Sequence, residues 1–304
     1  MTIIDMHAHV ADRDLLHDHF LLGMKETLRE RAVREYGIEL QPGLVDRLAR
    51  RRLSDPDCDQ LLAEMAAARI SRTVLLIADF GFGHDDGELT LQRFYERHHA
   101  ILRAHPDRFI VFGGADPRRG APGLALFERG LCELGFAGLK LYPPCGYEID
   151  DAALSPYYEL CAARAVPVLV HTVPSLSAMP GDRCYPSSID HAATRFPRVR
   201  FVLGHAAYQS FETNVDLAVR HRNIYLETSG FQRVVERPDE FRELTRALFD
   251  RVPDQVVFGT DWPVFNIKGT QADWVRCFDD LDVLDASQRA RLFHRNAEAA
   301  LYGV

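Results

Sequence analysis

Residues 2–10, with the sequence TIIDMHAHV, combine a short β-forming run with two histidines directly after it. The apolar run Thr2–Met6 predicts a strand that is covered on both faces. An open, doubly wound nucleotide-binding sheet would carry a glycine-rich phosphate turn after its first strand. This chain has His7-Ala8-His9-Val10 at that point. The opening therefore favours a closed barrel over a doubly wound sheet.

Seven further runs of the same kind follow along the chain, with amphipathic stretches between them. The predicted strands after the first are Arg72–Ala78, Phe109–Gly113, Gly138–Tyr142, Val166–Val170, Val199–Leu203, Asn223–Glu227 and Gln255–Gly259. The predicted helices are Gln60–Arg69, Thr90–Ala104, Leu124–Leu134, Tyr157–Ala165, Ser188–Arg195 and Phe241–Arg251. From the second strand to the eighth, one strand–helix unit takes about 30 residues, which is typical of parallel βαβ units. The pattern predicts an α/β fold, a (β/α)8 TIM barrel in which residues 1–304 form one domain.

The interval between the first two predicted strands is longer than the others. From Thr2 to Arg72 it runs over 70 residues, and its excess, about 12–59, is charged and helix-prone. Two interpretations stay open for this helical insertion. It could be a solvated addition, or it could be a lid, because a segment after the first strand emerges at the catalytic end of a barrel.

Composition and charge exclude several classes of protein. The chain of 304 residues is 47% hydrophobic and 26% charged, as expected of a globular protein, and it has no apolar run near the ~20 residues of a membrane helix. A net charge of −8 disfavours nucleic acid as a partner, because phosphates are bound by basic surfaces. The first residues show no basic region or cleavage site, so we expect no signal peptide. The six cysteines form no CxxC pair, which favours reduced thiols and a cytoplasmic location.

The two histidines after the first strand are candidates for metal binding. Side chains alternate along a strand, so His7 and His9 are expected to point the same way at the mouth of the barrel. The same alternation predicts that Ile3 and Asp5 lie on that face, below the histidines. Ile4 and Met6 would then face outward onto the helices.

Three further strands end on a single polar side chain. His171 follows the run VPVLV, His205 follows VRFVLG, and Asp261 follows QVVFGT. Alternation predicts that His205 shares a face with Leu203, and that Asp261 shares a face with Gly259. Because the carboxyl ends of all barrel strands meet at one end, these side chains are expected beside the two histidines of the first strand. Imidazoles and a carboxylate are the ligands of catalytic zinc sites.

These strand ends also carry a resemblance to a known family. The motifs IIDMHAH, GLKLYP, PVLVHT, FVLGHA and VFGTDWP are similar, in this order, to the strand motifs of the amidohydrolase superfamily. The branch they resemble most is that of metal-dependent hydrolases related to aminocarboxymuconate-semialdehyde decarboxylase. The similarity covers nearly the whole chain and is poorest in the insertion after the first strand.

The resemblance implies a role for each matching residue. His7, His9, His171 and Asp261 would bind one divalent metal ion, with zinc expected and manganese as an alternative. Asp261 would also accept a proton from water, and His205 would act as an acid or base or polarise the substrate. Three neutral imidazoles and one carboxylate leave a position open for water, as at a catalytic zinc site.

Lys140 is ambiguous because it lies within a predicted strand, where an unpaired charge is costly. The resemblance implies two alternatives for the lysine of this strand, which differ in the number of metal ions. In binuclear amidohydrolases it is carboxylated and bridges two metals, whereas one metal is the rule in the decarboxylase-related branch. We favour one metal over two, and Lys140 could then pair with Asp261 or with an anionic substrate.

Three loop residues after the strands are candidates for substrate binding, namely Tyr142, Arg183 and Tyr208. Packing within the loops is the alternative for each of them. A basic residue such as Arg183 could bind a carboxylate through two parallel hydrogen bonds, so the expected partner is a carboxylated small molecule.

The leading hypothesis is a metal-dependent hydrolase that uses an activated water on an amide, lactone or related carbonyl bond. A non-oxidative decarboxylase acting on a carboxylated aromatic or muconate-like substrate is the alternative, and hydration of a double bond is a third. A metal-binding protein without turnover is disfavoured, because Asp261 and His205 both supply proton-transfer groups. By analogy with this branch a homodimer is an option, and neither nucleic acid nor a membrane is an expected partner.

Overall fold

Eight parallel strands form the centre of the protein in this computed structural model. The structure describes residues 2–12, 15, 25–26, 29–30, 32–33, 37–41, 43–47, 54–80, 91–173, 185–206, 210–265 and 268–304. The strands are β1 (Ile4–Ala8), β2 (Arg72–Leu76), β3 (Phe109–Gly114), β4 (Leu139–Leu141), β5 (Val168–His171), β6 (Phe201–Gly204), β7 (Ile224–Glu227) and β8 (Val256–Val257). Each strand pairs with its neighbours in chain order, and every pair is parallel. This order is that of a TIM barrel, so the predicted fold class is confirmed.

Backbone hydrogen bonds between β1 and the segment that follows β8 close the barrel. The amide of Met6 donates to the carbonyl of Phe258 at 2.9 Å, and the amide of Asp261 donates to the carbonyl of His7 at 2.7 Å. β8 itself is only two residues long, so these bonds continue the pairing beyond its end. As a result, His7 and Asp261 are neighbours at the carboxyl end of the barrel.

Helices cover the outside of the sheet. They are α1 (Asp59–Ala67), α2 (Leu91–Ala104), α3 (Gly120–Cys132), α4 (Ser155–Arg164), α5 (Pro186–Arg195), α6 (Phe211–Arg220), α7 (Pro238–Arg251), α8 (Gln271–Asp279), α9 (Ala286–Ala290) and α10 (Asn296–Tyr302). All six predicted helices are present. The helices α5 and α7 begin earlier than predicted, because Pro186 and Pro238 occupy their first turns, where proline is favourable.

Two sets of buried side chains separate the inside of the barrel from its outside. The inner set takes alternate residues of seven strands together with α10, and consists of Ile4, Met6, Val74, Leu76, Ile110, Phe112, Leu169, Val202, Tyr225, Val257, Ala297, Ala300 and Leu301. The intervening strand residues, such as Leu139 and Leu203, pack with the surrounding helices. The inner set puts α10 across the amino-terminal end of the barrel, opposite the histidines.

The predicted orientation of the first strand is wrong below His7. Ile4 and Met6 belong to the inner set, whereas Ile3 packs with the outer set. The cause is an irregularity in the register of β1: between Asp5 and Ala8 the strand advances three residues while β2 advances two. This extra residue, a β-bulge, reverses the alternation so that both Met6 and His7 reach the interior.

The expected face of His205 is also wrong, for a related reason. Leu203 packs on the outside of the barrel, and His205 lies in the site. His205 has φ 64°, so a left-handed residue directly after β6 breaks the strand alternation. Asp261 and Gly259 do share a face, as predicted. Gly259 lies against Glu227 of β7, and Asp261 lies against His7 of β1.

Half of the residues in the segment 12–59 lie outside the described part of the chain, and the choice between a solvated insertion and a lid lies there too. At its two ends, Ala11–Asp12 pairs antiparallel with Ser54–Asp55. No described helix is both long enough and apolar enough to cross a lipid bilayer. The five described cysteines form no disulfide with one another.

Candidate metal centre and active site

His7 lies at the carboxyl end of β1, within the bulge. Its side chain is buried, and Nδ1 lies 2.9 Å from Oε2 of Glu227 at the end of β7. Burial, assisted by the charge of Lys140, holds the pKa of His7 well below its ordinary value. The imidazole of His7 is therefore neutral at neutral pH, and it carries a single N–H.

Asp261 brings one carboxylate oxygen close to both histidines of β1. Its Oδ1 atom lies 3.5 Å from Nε2 of His7 and 3.3 Å from Nε2 of His9. A left-handed backbone at Asp261, with φ 53°, places the side chain at this position. The other ring nitrogen of His9, Nδ1, lies 3.0 Å from the carbonyl oxygen of Leu76. That oxygen can only accept, so Nδ1 of His9 carries a proton.

This arrangement fits a divalent metal ion. Neutral His7 lies between two carboxylates, those of Glu227 and Asp261, and has one proton to offer them. One of its nitrogens therefore faces a carboxylate as a bare lone pair, which is unfavourable unless a cation lies between them. His7, His9 and Asp261 each offer one ligand atom, and the three atoms lie within 4.8 Å of one another. Ligand atoms about 2 Å from a common zinc ion would have such spacings.

Asp261 is held in its ionised form. Burial alone would raise its pKa, but the neighbouring imidazoles of His7, His9 and His205 outweigh that effect and lower the pKa below its usual range. An ionised carboxylate at this position is suited both to binding a metal and to accepting a proton.

His205 and His171 extend the site from β6 to β5. Nε2 of His205 lies 3.2 Å from Nδ1 of His171, and the ring centroids of His205 and His7 are 4.9 Å apart. Burial lowers the pKa of both His205 and His171. Nε2 of His171 has no hydrogen-bond partner in the part of the chain that the structure describes. The predicted residues are thus brought together, with His171 joining the cluster through His205.

Glu227 is a central residue of the site that the sequence analysis missed. Its carboxylate accepts hydrogen bonds from the amides of Ser229 and His205, at 2.5 and 3.2 Å, and from the hydroxyl of Ser229 at 2.6 Å. Burial raises the pKa of Glu227, and its interactions with His205 and Ser229 oppose that shift. The signal was present in the run NIYLE, which ends a predicted strand on a charged residue as the other site strands do.

Lys140 and Tyr142 border the cluster. Lys140 is 1% exposed, and burial lowers its pKa to about 8, against the opposing charges of Asp261 and Glu227. Its Nζ atom has no hydrogen-bond partner among the described residues, so the predicted pairing with Asp261 does not include a direct hydrogen bond. The ring of Tyr142 packs on that of His171, with centroids 4.4 Å apart. The other two substrate-binding candidates, Arg183 and Tyr208, lie outside the described residues.

Comparison with proteins of known sequence identifies the family. A family model described as amidohydrolase matches residues 4–304. A curated relative, 4-sulfomuconolactone hydrolase from Hydrogenophaga intermedia, is 29% identical over 152 residues, which cover 46% of this chain and 47% of that protein. The match therefore spans about half the length of this relative.

Two solved structures share the fold along nearly their whole length. An uncharacterised TIM-barrel protein from Bordetella bronchiseptica has a TM-score of 0.72 at 22% identity, covering 99% of this chain and 98% of the other. A 5-carboxyvanillate decarboxylase from Novosphingobium aromaticivorans, solved with manganese and 4-hydroxy-3-methoxy-5-nitrobenzoic acid, has a TM-score of 0.69 at 17% identity, covering 99% and 96%. Since the family model spans all eight strands and every residue of the candidate metal centre, the chain belongs to the amidohydrolase family and is an enzyme of that superfamily.

Proposed function

We infer that the protein is a metal-dependent hydrolase that cleaves an amide, lactone or related carbonyl bond in a small molecule. The observation that carries this proposal is the position of Asp261. Its ionised carboxylate lies against Nε2 of both His7 and His9, at 3.5 and 3.3 Å, in a buried site. Hydrolysis needs a base beside the attacking water, and the ionised carboxylate of Asp261 can accept a proton.

The proposed ligands are His7, His9, His171 and Asp261, around one ion, with zinc expected and manganese as the alternative. When bound, such an ion supplies Lewis acidity, which polarises a carbonyl group and makes water more acidic. Asp261 takes the proton of the attacking water and returns it to the leaving oxygen or nitrogen. His205, whose ring lies beside that of His7, is the proposed second proton-transfer group of the site.

The proposed substrate carries a negative charge, preferably as a carboxylate. Lys140 supports this, because a buried ammonium without a hydrogen-bond partner among the described residues would be compensated by an anion in the site. The name of the relative 4-sulfomuconolactone hydrolase denotes a lactone, and the decarboxylase from Novosphingobium aromaticivorans was solved with a benzoic acid. Both names are consistent with a small anionic substrate. Tyr142, Arg183 and Tyr208 remain proposed contacts.

Non-oxidative decarboxylation is the second candidate. The likeness to the 5-carboxyvanillate decarboxylase along 99% of this chain favours it, although at 17% identity that likeness shows the fold alone. In a decarboxylation the carbon that loses CO₂ must gain a proton. Ionised Asp261 cannot supply that proton, so this reaction would need another proton donor at the site.

A substrate panel with matched variants tests the proposal. We expect the protein loaded with zinc or manganese to open anionic lactones or cleave anionic amides, and chelation to abolish turnover. The variant Asp261→Asn should lose about 10²- to 10⁴-fold in kcat, as expected for a lost general base. Asp254→Asn is the control, because Asp254 is exposed and paired with Arg291 on the surface.

Release of CO₂ from carboxylated aromatics, without hydrolysis of any lactone or amide, would instead establish the second candidate. Full activity after exhaustive chelation would contradict both candidate reactions, because each depends on a bound metal ion.

A further inference from the structure

The carboxylate of Glu227 holds together groups that belong to three strands. Its Oε1 accepts from the amide of Ser229, and its Oε2 accepts from the amide of His205. A backbone N–H can only donate, so both oxygens act as acceptors. Oε2 also lies 2.9 Å from Nδ1 of His7 and 2.6 Å from the hydroxyl of Ser229.

We propose that Glu227 is a positioning residue that decides which ring nitrogen carries the proton in three histidines of the metal centre. It acts on His7 directly, and it acts on His205 and His171 through the hydroxyl of Ser229. The inference rests on the proposed metal site, because the nitrogens left without a proton are those available to a metal.

The first step is the direct contact. Nδ1 of His7 faces an acceptor carboxylate, so the single proton of the neutral ring resides on Nδ1. Nε2 of His7 then keeps its lone pair on the side of Asp261.

The second step follows from the single proton of Ser229. Its hydroxyl oxygen lies 2.6 Å from Oε2 of Glu227 and 2.7 Å from Nδ1 of His205. The hydroxyl proton is donated to the carboxylate, so the oxygen accepts a hydrogen bond from Nδ1 of His205. His205 therefore carries its proton on Nδ1, and its Nε2 is an acceptor.

The third step extends the proton assignment to His171 at the end of β5. Nε2 of His205 accepts from Nδ1 of His171, 3.2 Å away. Nε2 of His171 is then left with a lone pair, and it is a buried atom with no hydrogen-bond partner in the described part of the chain. One carboxylate thus accounts for the tautomers of three imidazoles on β1, β5 and β6.

The backbone directly after β8 is shaped for this carboxylate. A Cβ atom at Gly259 would lie 2.0 Å from Oε1 of Glu227, so only glycine leaves room for the carboxylate there. Carboxylates that orient metal-binding histidines in this way are important for affinity: their loss weakens metal binding about 10- to 100-fold.

Histidine tautomers can be read in the metal-free protein by long-range ¹H–¹⁵N correlation of ¹⁵N-labelled histidine, with each signal assigned by substitution. In the wild type we expect the proton on Nδ1 in His7, His205 and His171. In Glu227→Met, whose side chain has similar length and no acceptor, His7 should carry its proton on Nε2, facing Asp261. In Ser229→Ala, His205 and His171 should shift while His7 keeps its proton on Nδ1.

Two histidines serve as controls in the same spectra. Nδ1 of His98 and Nδ1 of His99 lie 2.8 and 2.9 Å from the carbonyl oxygens of Phe94 and Leu134, so both should stay protonated on Nδ1 in every variant. In Ser229→Ala, the loss of one hydroxyl oxygen leaves too little room for a water molecule, so no water replaces the hydroxyl between Glu227 and His205. A wild-type proton on Nε2 of His7, or a Ser229→Ala spectrum identical to that of the wild type, would overturn the proposal.

Zinc titration of the same samples separates this inference from the proposed function. Glu227→Met should bind zinc about 10- to 100-fold more weakly than the wild type. If the wild type bound no divalent metal, the proposed function would fail, and the spectra would still decide the role of Glu227. If the tautomers changed as expected but zinc affinity did not, the link between Glu227 and the metal would be wrong.

Discussion

Lys140 is a buried charge in the interior of the barrel without a hydrogen-bond partner among the described residues. Such a group opposes folding, because its ammonium loses hydration and gains no hydrogen bond from the described residues in return. The nearby carboxylates of Asp261 and Glu227 favour its charged form, but burial dominates and lowers its pKa. A residue that costs stability and lies beside the proposed metal ligands is better explained by binding of an anion than by packing.

The variant Lys140→Met should therefore stabilise the metal-free protein while impairing function. We expect the free energy of unfolding to rise by about 1–3 kcal/mol, because a side chain of similar length replaces the unpaired charge. KM for an anionic substrate should rise at the same time. Chemical denaturation and steady-state kinetics measure the two effects.

The control for this variant is Lys268→Met, since Lys268 pairs with Glu236 at 3.6 Å. Its unfolding free energy should stay within about 0.5 kcal/mol of the wild type. A Lys140→Met protein less stable than the wild type would show that Lys140 has a structural role.

Among the elements of the fold, the contact between β1 and the segment after β8 is the one that positions the candidate site. Asp5 is buried there, and Oδ1 accepts from the amides of His7 and Thr260, at 3.1 and 2.9 Å. Its Oδ2 accepts from the hydroxyl of Thr260 at 2.6 Å and from the amide of the Gln271 side chain at 2.9 Å. One carboxylate therefore fixes the backbone beside two proposed ligands, His7 and Asp261.

We expect Asp5→Asn to lower the free energy of unfolding by about 1–3 kcal/mol, because its amide nitrogen would face donors and not acceptors. Thr260→Val removes one of these donors. Because both changes disrupt the same network, the double variant should be about 0.5–3 kcal/mol less destabilised than the sum of the single variants. Urea denaturation of the four proteins gives this coupling, and strict additivity would mean that Asp5 does not act through Thr260.

The contact between β1 and the segment after β8 also shows how far sequence reasoning reaches. Hydrophobic runs and the polar residues that end them were enough to predict the strands, their order and the meeting of His7, His9, His205 and Asp261. Periodicity was not enough for the faces within a strand, because it assumes regular alternation. The bulge in β1 and the positive φ of His205 each interrupt that alternation, and both depend on contacts between distant strands.

Glu227 was missed for a different reason. A glutamate at a strand end is a weak signal by itself, and the importance of Glu227 comes from three partners that lie elsewhere in the chain or in the next turn. His7 is 220 residues away in sequence and His205 is 22 residues away. Only the closed barrel brings these residues to one carboxylate.

At the scale of the whole molecule, the barrel buries several histidines that must stay neutral. Burial lowers the pKa of His7, His171 and His205 in the metal centre, and it lowers the pKa of His98 on α2 to about 4. An unfolded chain exposes all of them and binds protons at higher pH than the folded chain does. Folding stability should therefore fall as the solution becomes acidic.

His98 isolates this effect, because it lies outside the proposed metal ligands. Its ordinary pKa is 6.5 and its folded pKa is about 4, so the unfolded state takes up a proton first as the pH falls. The part of the folding free energy that depends on neutral His98 is fully present above pH 6.5 and is lost between pH 6.5 and about 4. Below that pH this residue no longer changes stability. This shift in the pKa of His98 corresponds to about 3 kcal/mol of folding free energy.

The variant His98→Asn keeps an amide that can donate to the carbonyl of Phe94, as Nδ1 of His98 does at 2.8 Å, and it cannot titrate. Unfolding free energies of the wild type and the variant, measured by denaturation at several pH values, should therefore converge by about 3 kcal/mol between neutral pH and pH 4. The wild type should have the steeper dependence on pH. Parallel curves would mean that the folded protein admits water or a counter-charge to His98, and that its acid sensitivity comes from other groups.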